Sequence, residues 1–397
     1  MLLRTETFAG MPHNDTNPRQ HFFVDTPNQL IFLADQLKNK NWVALDTEFI
    51  RERTYFSKFC LLQLATSDFT ACVDPLALDN LEPLLDVIFS KKITKVFHAG
   101  RQDLEIFYQL RAAVPSPLFD TQIAAPLLGY PEQMGYAALV SQMLGKQLGK
   151  AHTRTDWSKR PLAKEQIDYA IDDVVYLARL YKIITEKLIS LARLDWLQED
   201  LEVLANPLLY ENPPENAWHR IKSASKVKGT RLSALQILAQ WREKTARQED
   251  LPRNWILKDE TLFDIARLLP ATVSDLSAIR NIHQKVLASH GETICQLVSN
   301  ANQHPPAPLL ENPNHRKKTA DEEALLDIMM AFVKLHAEKV SITPSVLASK
   351  KDLEQLLYYP TSAKILQGWR KHLIGEKLLA LLKGDRYIRI NDGIVTL

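Results

Sequence analysis

Near residue 119 the apolar pattern of this chain changes period. Before that point, short β-like runs alternate with helical stretches. HFFV (21–24), WVALDTEF (42–49), FCLLQLAT (59–66), FTACVDP (69–75) and ITKVFHA (93–99) read as strands. Residues 27–37, 81–89 and 101–110 read as helices, the first with Thr26 as its N-cap. Only Ser67 and Asp68 separate the third and fourth runs, so these predict a hairpin. A sheet made this way must bury both faces under helices, which gives an α/β fold with a mixed sheet. After residue 119 the apolar residues recur almost wholly at helical spacing, over Phe119–Leu128, Tyr136–Leu144 and Lys164–Ala192.

Two breaks divide the helical remainder. ENPPEN (211–216) is one, and HPPAPLLENPNHRKK (304–318), with four prolines and no periodicity, is the other. Helical patterns run from 231 to about 299, then resume around 321–338, 344–349, 351–357, 361–370 and 372–383. The predicted order is a flexible lead-in (1–21), an α/β domain (22–210), a small all-α domain (211–303), a linker (304–317) and a second all-α domain (318–397). That suits 397 residues at roughly 150 per domain.

Cys60, Cys72 and Cys295 form no CxxC, which argues against a zinc ribbon, and so few thiols suit a reducing cytoplasm. No apolar run approaches the ~18 residues of a membrane span. GKQLGKA (145–151) misses the phosphate-loop pattern, so no nucleotide cofactor is implied. The net charge of +2 excludes a polycation and leaves local basic patches open.

Three acidic features carry chemistry. Asp46 and Glu48 end an apolar strand two residues apart, hence on one sheet face. Such a pair repels unless a cation lies between them, and a hard divalent ion answers that need. The plainer alternative is a solvated strand end. Asp103 follows a strand and a glycine turn and falls in a helical first turn, where the helix dipole alone would favour it. In QIDYAIDDVVYLARL (166–180), Tyr169 and Asp173 share one helix face, and Asp168 and Asp172 share a neighbouring one. Periodicity does not rank these two pairs.

From Val43 to Leu180 the order and context of these features resemble the DEDD exonuclease superfamily. D-x-E is Asp46 and Glu48, the second motif supplies Asp103, and Y-x-x-x-D is Tyr169 and Asp173, which chooses between the helical pairs. Tyrosine in the last motif is similar to the tyrosine-bearing branch. DTEFIRERTY (46–55), LLQLA (61–65), FDTQIAA (119–125) and RTDWSKRPL (154–162) resemble the ribonuclease D family. Residues 231–257 resemble an HRDC domain; the segment from 318, with SVLASKKDLEQLL (345–357) and GWR (368–370), resembles a second one more weakly.

The resemblance implies an RNase H-like exonuclease domain followed by two HRDC domains. It implies hydrolysis of RNA from the 3′ end with release of nucleoside 5′-monophosphates, tRNA precursors being the leading substrate. A DNA exonuclease and a catalytically dead RNA-binding scaffold are the alternatives. It also implies two divalent ions, Mg²⁺ before Mn²⁺. Asp46 would bridge both, Glu48 and Asp173 would complete one site, and Asp103 would hold the other, partly through water. Tyr169 would orient the attacking water, since a phenol of pKa ~10 is a poor base.

Basic segments suit a polyanion. HRIKSASKVKGTR (219–231) has five Lys and Arg and no acid, with Lys222, Lys226, Lys228 and Arg231 as candidate phosphate contacts. KQLGKAHTRTDWSKR (146–160) is also basic, with Asp156 its single acid. Phe49 and Arg51, beside D-x-E, are further candidate RNA contacts, and Tyr55, Trp157 and Trp241 are other aromatics able to stack on bases. His98 reads as a packed strand-end residue rather than a ligand.

Overall fold

The computed structural model describes residues 20–149, 155–303, 305–306, 318–392 and 394–396. They fall into two compact units. The first takes in the chain up to Glu48, Phe59–Leu209 and the residues from Arg316 on; the second takes in Phe49–Lys58 and Tyr210–His315.

The first unit is built on a six-stranded sheet. Its strands are β1 (Gln20–Val24), β2 (Trp42–Ile50), β3 (Lys58–Ala65), β4 (Phe69–Val73), β5 (Thr94–Phe97) and β6 (Leu118–Asp120), in the order β1-β4-β3-β2-β5-β6. β3 and β4 form the antiparallel hairpin that two intervening polar residues predict. β1 runs parallel to β4, β2 to β5 and β5 to β6. The helices are α1 (Pro27–Leu37), α2 (Glu82–Ile88), α3 (Arg101–Arg111), α4 (Thr121–Ala124), α5 (Tyr136–Leu144), α6 (Lys164–Ser190) and α7 (Gln198–Leu204). Ala44, Val96 and Phe119 of the sheet share one buried cluster with Leu139 and Val140 of α5 and Val174 and Leu177 of α6.

Two local expectations are corrected here. The helix predicted over 119–128 begins instead as β6, because pairing with β5 overrides local helical spacing. Asp120 then caps α4, accepting from Gln122 N at 2.8 Å. The flexible lead-in predicted for 1–21 loses its last two residues to β1, where Gln20 and His21 pair with Phe69 and Thr70. Residues 1–19 lie outside the described residues.

The C-terminal helices, α13 (Ala320–Lys339), α14 (Pro344–Leu347), α15 (Lys350–Tyr358), α16 (Gly368–Arg370) and α17 (Glu376–Lys383), belong to the same unit as the sheet. Trp369 stacks on Trp196 with ring centroids 4.5 Å apart and donates from Nε1 to its carbonyl. Arg370 donates to Asp200 Oδ2 at 2.8 Å. The helix predicted over 361–370 is broken into short turns, with Pro360 at the first and Gly368 (φ +50°) at the last. A two-stranded hairpin, β7 (Arg389–Asn391) with β8 (Ile394–Thr396), departs from the all-α expectation for this segment.

The second unit holds α8 (Thr230–Gln248), α9 (Arg253–Ile256), α10 (Asp259–Leu268), α11 (Val273–Ser277) and α12 (Gln284–Asn300) around one apolar core. Inside it, Tyr55 Oη donates to Glu243, which is 1% exposed. Arg247 and Arg253 approach the same carboxylate at 3.4 Å. Asp250 Oδ1 accepts from Tyr55 N and Phe56 N, both at 3.0 Å. Tyr55 and Phe56 are thus fastened to α8 and the turn that follows it. Among the described residues no helix is long and apolar enough to cross a membrane.

Candidate active site

Alternation along β2 sets the site. Ala44 lies in the cluster that α6 covers, so Asp46 and Glu48 emerge on that face at the strand's end. Asp173 precedes the buried Val174 on α6. One oxygen from each of Asp46, Glu48 and Asp173 lies within 4.8 Å of the others. Of the two acidic pairs on α6, Asp173 is the residue that meets D-x-E.

Asp103 sits in the first turn of α3 and is buried. Its Oδ1 accepts from Thr47 N at 3.1 Å and from Thr47 Oγ1 at 2.5 Å. The middle residue of D-x-E therefore holds the fourth carboxylate. The turn that starts α3 is held in its own way. Asp120, 2% exposed, accepts from Ala99 N at 3.0 Å and from Gly100 N at 2.8 Å. Ala99 adopts a left-handed φ of +56°. A Cβ on Gly100 would lie 2.5 Å from Cβ of the buried Phe97. Gly100→Ala is expected to destabilise the fold by about 1–3 kcal/mol and to lower turnover by shifting Asp103. Calorimetric melting and single-turnover assays check both effects.

Tyr169 hydrogen-bonds Asp173 one turn away. Tyr136 on α5 donates to the Asp173 carbonyl. Thr47, Asp120 and Tyr136 escape sequence reasoning because their partners lie 56, 20 or 21, and 37 residues away. The one advance signal is that Thr47 and Asp120 fall inside the motif strings.

The electrostatics are those of crowded, half-dry acids. Burial raises Asp46 well above the carboxylate range, and Asp103, Asp173 and Glu48 push it further. Burial, then Asp173 and Asp103, lift Glu48 to about 8. Burial lifts Asp173 to about 7 against the Tyr169 hydrogen bond, and lifts Asp103 to about 6 against the Thr47 hydrogen bonds. Burial and the same carboxylates raise the Tyr169 phenol above its usual range. Three converging carboxylate oxygens with no cation among them are a poor arrangement in isolation. They fit a hard divalent ion.

The other candidates fall elsewhere. His98 is no ligand: Nδ1 pairs with Thr121 Oγ1 at 2.9 Å and Nε2 with the Met134 carbonyl at 3.0 Å. Trp157 is 3% exposed, which removes it as a base-stacking surface, and Trp241 packs on the second unit's core. Phe49 is half-buried, and Arg51 is exposed with Nε donating to the Tyr55 carbonyl at 2.9 Å. Lys222, Lys226, Lys228 and Arg231 are exposed, while Ile221 just before them and Ala224 and Val227 between them turn inward. Residues 150–154 of the other basic segment lie outside the described residues.

Two strand-end carboxylates that meet a helical carboxylate, with a helical tyrosine beside them on a mixed sheet, make a site fit for a divalent ion, as a metal-dependent nuclease requires. In agreement, the family described as 3′–5′ exonuclease matches residues 22–189, and the HRDC domain family matches residues 231–298. Ribonuclease D of Bartonella henselae is 37% identical over 95% of this chain and 93% of its own length. Ribonuclease D of Sphingobium indicum is 38% identical over 94% and 97%. The crystal structure of Escherichia coli RNase D, an exoribonuclease involved in structured RNA processing, superposes with a TM-score of 0.79 at 30% identity, covering 93% of this chain and all of that one. The chain belongs to the ribonuclease D family and is a 3′–5′ exoribonuclease.

Proposed function

We propose that this exoribonuclease trims the 3′ ends of structured RNA, tRNA precursors among them, by two-metal-ion hydrolysis that releases nucleoside 5′-monophosphates. The convergence of Asp46, Glu48 and Asp173 carries this reading. Asp46 would serve both ions, Glu48 and Asp173 would complete one site with it, and Asp103 would serve the other. Bound Mg²⁺, or Mn²⁺ in its place, would activate water and offset charge at the leaving oxygen. Tyr169, its phenol held protonated by burial, orients the attacking water through a hydrogen bond and does not serve as a base. Residues 22–210 form the exonuclease domain, 211–303 the first HRDC domain and 318–397 the second. Cys60, Cys72 and Cys295 are buried and form no disulfide, which suits the cytoplasm.

The test compares a 3′-extended tRNA with single-stranded DNA in Mg²⁺. Mononucleotides released faster from the tRNA support the reading; faster release from DNA overturns it.

The exposed Lys222, Lys226 and Lys228 contact RNA phosphates in this scheme. Reversing all three to Glu is expected to weaken RNA binding and to lower the slope of log K against log salt by about 2, at roughly 0.7 per phosphate contact. Turnover at saturating RNA stays unchanged. An unaltered slope would assign these lysines to solvent alone.

A further inference from the structure

Residues 155–162 lead into α6, and among them the guanidinium of Arg160 is wholly engaged. Arg160 Nε donates to Asp74 Oδ2 at 2.6 Å, and Nη2 donates to Asp74 Oδ1 and to the Cys60 carbonyl, both at 2.7 Å. Nη1 donates to the Trp157 carbonyl at 2.7 Å and to the Lys159 carbonyl at 2.9 Å. Asp74, 4% exposed, is itself fixed: its N–H donates to the Val24 carbonyl and its Oδ1 accepts from Leu76 N, both at 2.9 Å. One guanidinium thus ties the 157–160 turn to β3 and to the end of β4.

What this turn presents to α6 is Trp157. Its buried indole lies 6.3 Å, centroid to centroid, from the Tyr169 ring. Gln166, one turn before Tyr169, pins the same segment. Its Nε2 donates to Thr155 Oγ1 at 3.2 Å, and its Oε1 accepts from Ala163 N at 2.9 Å. Tyr169 lies in the second turn of α6, near an end where a helix has few intrahelical bonds of its own. Without the indole wall its ring gains rotamer freedom, and the phenol spends less time on Asp173.

We propose that Arg160 is a positioning residue for Tyr169, acting through Trp157, with Asp74 as its anchor. This rests on the role given to Tyr169 above. A lysine keeps the charge but cannot reproduce the fork or reach the same set of carbonyls.

A double-mutant cycle on the full chain tests it. Arg160→Lys is expected to lower kcat about tenfold with KM for a 3′-extended RNA within about twofold, a loss of placement rather than of binding. Tyr169→Phe alone lowers kcat about 10²-fold. In the Tyr169→Phe background, Arg160→Lys has no further effect, because the hydroxyl it positions is gone. Asp74→Asn follows the same pattern. A merely structural role would lower the active fraction equally in both backgrounds, so a full additive loss overturns the inference. Wild-type kcat for Tyr169→Phe would instead remove the role of the tyrosine, and the inference with it. Should Arg160→Lys not fold, Trp157→Leu in the same cycle decides the matter, since it removes the wall and leaves the ion pair.

Discussion

Asp46→Asn lowers turnover on the order of 10³-fold or more while RNA binding stays within a factor of about three. The side chain keeps its size, so the strand end keeps its shape; what is lost is a charge and a carboxylate oxygen able to hold a cation. Asp46 is the group that all three other carboxylates push against, which makes it the point where a cation is most needed. Removing its charge relieves that repulsion. The metal-free variant is therefore expected to melt no lower than the wild type and even somewhat higher. That stability result separates the two readings of D-x-E. If Asp46 only capped a solvated strand end, Asn would cost little activity; if it supported the fold, the melting transition would collapse. Calorimetry alongside a mononucleotide-release assay and a filter-binding titration reads all three outcomes. Near wild-type turnover would sink the metal assignment.

The parts of this site visible in the sequence are those set by short periodicities. Asp46 and Glu48 share a face because a strand repeats every two residues, and Ala44 in the α6-covered cluster tells which face. Asp103 follows from a strand, a glycine and a helical start. The choice of Asp173 over Asp172 needed the family motif, since both lie on one helix and differ by a single step of rotation. Thr47 stayed hidden because its side chain points away from the two carboxylates that flank it, towards a partner 56 residues on. Asp120 stayed hidden for a related reason. Its segment has helical spacing, and only the parallel neighbour β5 draws Leu118–Asp120 into the sheet, from where Asp120 reaches the turn before α3. The 361–370 stretch also reads as one helix by spacing. It breaks at Pro360 and at Gly368, whose φ of +50° a residue with a side chain rarely adopts. Contacts distant in sequence account for Thr47 and Asp120, and local proline and glycine backbone effects for the broken helix.

Removing divalent ions with EDTA is expected to bring turnover to background, and the pH behaviour of the metal-free protein should show why. Glu48 titrates at about 8 in the fold against 4.5 unfolded, Asp173 at about 7 and Asp103 at about 6 against 3.8. Between about pH 4 and pH 8 the folded chain thus holds more of these protons than the unfolded chain does. The slope of unfolding free energy with pH follows protons bound unfolded minus folded, which is negative here, so stability falls as pH rises through that window. The metal-free melting temperature should accordingly drop from pH 5 to pH 8. Added Mg²⁺ should recover it, and by more at pH 8 than at pH 5, because the ion competes with protons for the same oxygens. Activity carries the same linkage. At limiting Mg²⁺, turnover rises with pH across this range, and raising Mg²⁺ moves the rise to lower pH. A melting temperature independent of pH in EDTA would mean that the protein's own cations already compensate these carboxylates. The arrangement of Asp46, Glu48 and Asp173 would then give no reason to expect an ion between them.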